Sequence, residues 1–143
     1  EFRNKAQNKP PVFSDVGPTL KKLKKNFDLF VLTKGNIEEQ KRKVETSELS
    51  DYFDEIFVVS EKNDQTYKSI SDKYHWQVDE CCMVGNSPKS DINPALRLGM
   101  YAIFIPYPYT WKLDNEAVLE GHPNLYTVKA ISSVPKLLDK ITR

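Results

Sequence analysis

The stretch CCMVGNSPKSDINPALRLGM, residues 81–100, decides how the rest of the chain is read. A short apolar run stops at Gly85 and gives way to a polar loop holding Asn86, Ser87, Lys89, Ser90 and Asp91. A helix-like segment then runs from Pro94 to Leu98, with proline where a missing N–H costs little and Gly99 as its terminator. Such a junction is either a plain strand-to-helix turn or the carboxyl edge of a parallel sheet, where ligands gather. The flanking sequence has to choose between them.

It favours the sheet edge. DLFVLT (Asp28–Thr33), EIFVVS (Glu55–Ser60), CCMVG and YAIFIP (Tyr101–Pro106) are unbroken apolar runs rather than alternating ones, the pattern of strands covered on both faces. Helical segments separate them. Val16, Leu20, Leu23 and Phe27 recur at helix spacing; Asn36 and Glu39 form a capping box for a helix reaching about Ser47; residues 66–74 make another. NLYTVK (Asn124–Lys129) reads as a short edge strand, and Ser133–Thr142 as a closing helix with Pro135 in its first turn. Strand–helix alternation of this kind predicts an α/β fold with a parallel sheet and right-handed crossovers, over residues 16–143. Residues 1–15, polar and carrying Pro10-Pro11, read as a linker.

Composition narrows the function classes. With 21 basic and 20 acidic residues the net charge is +1, so bulk charge points to no nucleic-acid or membrane partner. Lys21, Lys22, Lys24 and Lys25 suggest a phosphate-binding patch, but a solvated helix face accounts for them, and no aromatic residues interleave as nucleic-acid binding requires. No apolar run approaches the roughly 20 residues of a spanning helix. Cys81 and Cys82 are adjacent and point to opposite faces of one strand. They make neither a disulfide nor a zinc site, which suits a reducing, cytoplasmic setting. His75 and His122 belong to no ligand-spaced cluster.

The informative residues therefore lie at the strand ends. Thr33, with the amides of Lys34 and Gly35, offers an anion site at the start of a helix. Lys62 can neutralise a further anionic oxygen. Asp91 and the Asn86 carbonyl are hard oxygen ligands of the sort Mg²⁺ accepts while keeping several waters. Each alone has a plainer explanation: a turn for Thr33, a surface ammonium for Lys62 and Lys89, a helix N-cap for Asp91. Asn86 resists one, because an amide directly after a buried strand needs partners. All fall at the same edge of the expected sheet, and together they read as phosphate plus magnesium. Tyr107, Tyr109 and Trp111 follow the fourth strand and serve either as a pocket lining or as a loop packed over the sheet.

The series Thr33-Lys34-Gly35, then Lys62, then Gly85-Asn86-Ser87 through Asp91 resembles the second, third and fourth motifs of the haloacid dehalogenase-like (HAD) hydrolase superfamily, phosphatase-like branch, over roughly residues 14–111. The resemblance implies a three-layer Rossmann-like core and a Mg²⁺-dependent phosphoryl-transfer hydrolase that cleaves a phosphorylated small molecule through an aspartyl-phosphate. It implies that Thr33 bonds a phosphoryl oxygen with help from the Lys34 or Gly35 amide, and that Lys62 pairs with the nucleophilic carboxylate and the phosphoryl group. Asp91 and Asn86 would hold the metal, Asn86 standing where many relatives have an aspartate.

The family's Asp-x-Asp nucleophile motif does not precede Thr33; Asp15 and Asp28 are isolated, and Asp51 and Asp54 follow it. The expectation is that the first, central strand and a cap lie upstream of Glu1, with residues 1–15 returning from that cap. A partner segment would then supply strand and nucleophile, and this chain alone would be inactive. The alternative is a catalytically inactive HAD-like binding or interaction module. A receiver domain would want its acidic cluster before the threonine, and no G-x-G-x-x-G supports dinucleotide binding.

Overall fold

The computed structural model describes residues 15–106 and 116–142. The expected linker (residues 1–14 of it) and Tyr107, Tyr109 and Trp111 lie outside the described residues. The chain forms two compact units, residues 1–60 with 134–143, and residues 61–133.

In the first unit, α1 (Val16–Lys24) leads to β1 (Phe30–Lys34), α2 (Ile37–Thr46) and β2 (Glu55–Val59), and α5 (Val134–Ile141) returns from the end of the chain. β1 and β2 pair in parallel, Phe30 opposite Glu55 through Lys34 opposite Val59. Helix α2 begins as its capping sequence requires: the Asn36 carbonyl accepts the Glu39 N–H at 3.0 Å. Its exposed side is polar apart from Ile37, and Val44 is its buried residue. Helix α1 buries Leu20 and Leu23 and packs with α5, which buries Val134 and Leu138. Lys21, Lys22, Lys24 and Lys25 all face solvent, as a solvated helix face requires.

In the second unit, α3 (Asp64–Lys73), β3 (Cys82–Gly85), α4 (Asn93–Leu98), β4 (Tyr101–Phe104) and β5 (Leu125–Thr127) follow in order. The strands pair in parallel as β3-β4-β5, with Cys82 opposite Tyr101 and Ala102 opposite Leu125. Ala102 and Ile103 in β4 are fully buried, as are Ile92 and Ala95 on the loop and helix before it. Gly99 ends α4 at φ +104, a left-handed conformation that costs a residue with a Cβ.

The α/β class and the parallel pairing follow the sequence. Among the described residues, however, the strands hydrogen-bond as two sheets, β1-β2 and β3-β4-β5, rather than as one. Burial departs too: β1, β2 and β3 are only half-buried, and Phe30 is 37% exposed, so an unbroken apolar run did not mean covering on both faces. Two smaller corrections are local. Helix α3 starts two residues before the expected Thr66 because Asn63 caps it, accepting the Thr66 N–H at 3.0 Å. Residues 88–92 wind as one wide π-type turn ahead of α4, which places Asp91 inside the turn instead of at an N-cap.

Asp54 locks the entry to β1. Its carboxylate accepts the Leu29 N–H at 2.8 Å and the Lys24 ammonium at 3.1 Å, while Leu29 O accepts the Asp54 N–H at 2.7 Å. The Leu29 amide first, and Lys24 second, hold the Asp54 carboxyl below its ordinary value of 3.8. A lowered folded-state pKa contributes stability that is complete above the unfolded value, near pH 4, and fades as pH falls through the folded one. Asp54→Asn is therefore expected to lower the denaturant midpoint at pH 7 and to differ less from the parent at about pH 3. Parallel urea titrations at the two pH values check this.

Candidate active site

The residues after β3 form a site around one carboxylate. Asp91 Oδ1 accepts the Lys62 ammonium at 2.8 Å, and Oδ2 accepts the backbone N–H groups of Asn86 and Ser87, each at 3.2 Å. The Asp91 side chain is 8% exposed and that of Lys62 16%, so this is no screened surface pair. An ionised carboxylate at that depth requires donors on both oxygens, and it has them.

Sequence explains the approach. A Cβ built on Gly85 would stand 2.7 Å from both Cβ and Cγ of Asp91, so only glycine lets the carboxylate lie against the end of β3. The wide turn supplies the reach. Ser87 O accepts from the Asp91 N–H at 2.8 Å and the Ile92 N–H at 3.1 Å, and Pro88 O accepts from the Asn93 N–H. Ser87 Oγ caps the same turn by accepting the Ser90 N–H at 3.0 Å. Wide turns of this kind recur at functional sites because the additional residue re-aims a side chain.

Lys62 is held with similar care. Thr66 Oγ1 donates to Glu61 O at 2.6 Å and the Asn63 cap fixes the following residue, so the lysine projects from a braced loop. Arg97 on α4 grips Asp64 at the start of α3 with two bonds of 2.7 and 2.8 Å and holds its carboxyl below the ordinary range. The helix that follows Lys62 and the helix that follows Asp91 are thereby tied together.

The structure brings Lys62, Asp91 and the Asn86 backbone into contact. Thr33, Lys34 and Gly35 belong to the first unit. There Thr33 Oγ1 donates to Gln40 Oε1 at 3.1 Å, and the Gly35 N–H donates to Val59 O at 3.1 Å, extending the β1-β2 ladder by one bond. Cys81 and Cys82 are free, and burial pushes both thiols upward, Cys82 to about 12, so neither is a thiolate at neutral pH. His122 Nδ1 accepts the Asn124 N–H at 3.1 Å, a turn-forming role.

Two residues escaped the sequence reading. Tyr67 on α3 is 4% exposed and donates its hydroxyl to Ser90 O at 2.8 Å. Asn93 is fully buried; its amide donates to Glu116 Oε2 at 2.6 Å and Ala117 O at 2.8 Å, and its carbonyl accepts the Leu119 N–H at 3.0 Å. That clamp ties the start of α4 to the segment returning toward β5. An asparagine beside a proline at a helix start looks like an ordinary cap, so its sequence carried no sign of this role.

Whether these residues suit Mg²⁺ can be tested on the donors. Oδ2 of Asp91 is filled by two amides, whereas Oδ1 carries only Lys62 and keeps one acceptor site. The Asn86 side chain makes no hydrogen bond among the described residues. One carboxylate oxygen and one amide oxygen suit a magnesium ion that takes its other ligands from water and phosphate. Among the described residues no group of three or more His, Cys, Asp or Glu could enclose a metal, so the fit is that of a partial site. Replacing Gly85 by alanine should displace the carboxylate and lower stability by about 1–3 kcal/mol; chemical denaturation measures it, and a midpoint equal to the parent's would refute the close contact.

Comparison with known proteins places this geometry. The family model described as haloacid dehalogenase-like hydrolase matches residues 1–105. N-acylneuraminate-9-phosphatase of Homo sapiens is 29% identical over 136 residues, covering 89% of this chain and 52% of that protein. Glyceraldehyde 3-phosphate phosphatase of Pyrococcus furiosus is 28% identical over 131 residues, covering 87% and 52%. The chain thus spans about half the length of the curated relatives it matches. Among solved structures, a haloacid dehalogenase-like family hydrolase from Xanthomonas campestris superposes with a TM-score of 0.84 at 30% identity, covering 94% of this chain and 57% of that one. With its Gly85-to-Asp91 loop, its braced Lys62 and a family match over most of its length, the chain belongs to the haloacid dehalogenase-like hydrolase superfamily, in the phosphatase-like branch.

Proposed function

We propose that this chain carries the phosphate-binding and metal-binding side of a Mg²⁺-dependent phosphomonoester phosphatase, with the nucleophilic carboxylate supplied by a segment outside it. One observation carries the reading: a nearly buried Asp91 carboxylate, held by Lys62 at 2.8 Å and by two loop amides, at the end of a parallel strand. Such a carboxylate is held in position and, among the described residues, keeps one acceptor site open.

In the complete enzyme the incoming carboxylate attacks phosphorus, the P–O bond to the alcohol breaks, and the leaving oxygen takes a proton from solvent. Water then attacks the phosphorus of the acyl-phosphate and gives a proton back to solvent, returning the carboxylate and releasing phosphate. Lys62, here paired with Asp91, would turn its ammonium to the nucleophile and the phosphoryl oxygens and stabilise the charge that builds on them. The family resemblance would give the Thr33 hydroxyl, here bonded to Gln40, the role of bonding a phosphoryl oxygen. A backbone amide of that loop, of Lys34 or Gly35, would help orient the phosphoryl group, the Gly35 N–H being engaged with Val59 O at 3.1 Å. Asp91 and Asn86 would hold the magnesium, which when bound neutralises phosphoryl charge; members of the superfamily commonly use it.

The substrate class is a phosphorylated small molecule, in line with the phosphatase relatives. No helix among the described residues is long and apolar enough to cross a membrane, and the two free cysteines suit a reducing, cytoplasmic setting. A second reading has its own support. Asn86 removes a formal charge from the metal site, and the described residues offer only one carboxylate to it, as befits a module that binds phosphate without turning it over.

Assaying a generic phosphate ester with Mg²⁺ separates the two. The chain alone should be inactive, and addition of the strand and Asp-x-Asp segment should restore hydrolysis. Strong turnover by the chain alone would reject the missing nucleophile; phosphate binding without turnover after completion would favour the second reading. In the completed protein, Lys62→Ala should lower kcat by about 10²–10³-fold while the variant still folds, and equal turnover would remove Lys62 from the chemistry.

A further inference from the structure

The turn that presents Asp91 is met by a side chain from another helix. The Tyr67 hydroxyl donates to Ser90 O at 2.8 Å and lies 3.4 Å from Asp91 O. The ring arrives from α3, the helix whose first turn follows Lys62, and Tyr67 is nearly fully buried. Its hydroxyl is a donor at every working pH, because burial first and the Asp91 charge second push its ionisation upward. Ser71 Oγ and the Asn63 carbonyl, which accepts the Tyr67 N–H at 3.2 Å, hold the helix beneath it.

We propose that Tyr67 is a positioning residue for the Asp91 carboxylate: its hydroxyl holds the Ser90 and Asp91 carbonyls and so fixes the wide turn in the geometry that aims Asp91 at Lys62 and the loop amides. Its link to catalysis and metal rests on the phosphatase reading; its link to the position of Asp91 does not. Tyr67 touches no reacting atom. It acts through two peptide groups, and the Asn86 and Ser87 amides, which donate to Asp91 Oδ2, report on that action directly.

Amide hydrogen exchange on the full chain tests this without any turnover. In Tyr67→Phe, exchange at Asn86 and Ser87 should quicken by about 10-fold, while Ala102 and Val128, bonded within the β3-β4-β5 sheet, stay as in the parent. Unchanged exchange at Asn86 and Ser87 overturns the proposal. Should the variant loosen the whole unit, 3-fluorotyrosine at position 67 decides, since it keeps the ring and strengthens the donor. It should slow exchange at those two amides selectively, and no change there refutes the role. In the completed protein, Tyr67→Phe should raise the Mg²⁺ concentration for half-maximal activity by about 10-fold with substrate KM unchanged. A parent that never hydrolyses phosphate esters would sink the phosphatase reading and leave the exchange result standing; a fully active parent with unaltered exchange would do the reverse.

Discussion

A carboxylate taken out of water must be met by donors, and at Asp91 every nearby element is arranged to meet that demand. Lys62 supplies charge, the Asn86 and Ser87 amides supply two hydrogen bonds, and Gly85 supplies the space. Removing one partner of a buried pair typically costs about 3–5 kcal/mol because a charge is left stranded. The loop, the wide turn and the lysine therefore hold or fail together. A site built in this way is pre-formed: its groups are set in place before any ligand arrives, so less ordering remains for the binding step.

The bracing extends outward in layers. Arg97 and Asp64 join the ends of α4 and α3, Tyr67 reaches from α3 to the turn, and Asn93 binds the start of α4 to residues 116–119. None of these groups is suited to phosphorus chemistry, yet each limits how far Asp91 can wander. Positioning of this sort matters because a reacting geometry misplaced by about 1 Å can cost 10²-fold in rate. Asn86 is the exception to the tight bonding. Its side chain has no partner among the described residues, which leaves its oxygen available and makes it the point where a magnesium reading and a binding-module reading diverge.

Much of this was legible beforehand. The Asn36-to-Glu39 box, the Gly99 stop and the strand pairs all sit within a residue or two of where periodicity and punctuation placed them. The pairing of Lys62 with Asp91 was not read as such; each had been assigned to phosphate or metal separately, and nothing in residues 29 positions apart reveals a 2.8 Å contact. The wide turn was equally hidden, since Asn86 through Asp91 reads as a polar loop ahead of an ordinary helix. Nothing in the sequence around Tyr67 points to its bond with Ser90 O, which depends on how α3 packs on α4.

What the amino-acid order determined by itself is therefore local and chemical: which segments extend or coil, where they stop, and which strand ends carry a hydroxyl, an ammonium, an amide and an acid. Those follow from backbone sterics, capping and hydrophobic pattern, all of which act over a few residues. Tertiary structure decided the partners: that the acid's donors are Lys62 and two amides, that glycine is needed because a side chain lies against it, and that the described strands pair as two groups. Partnership depends on which elements meet in space, and only the folded chain brings residue 62 to residue 91.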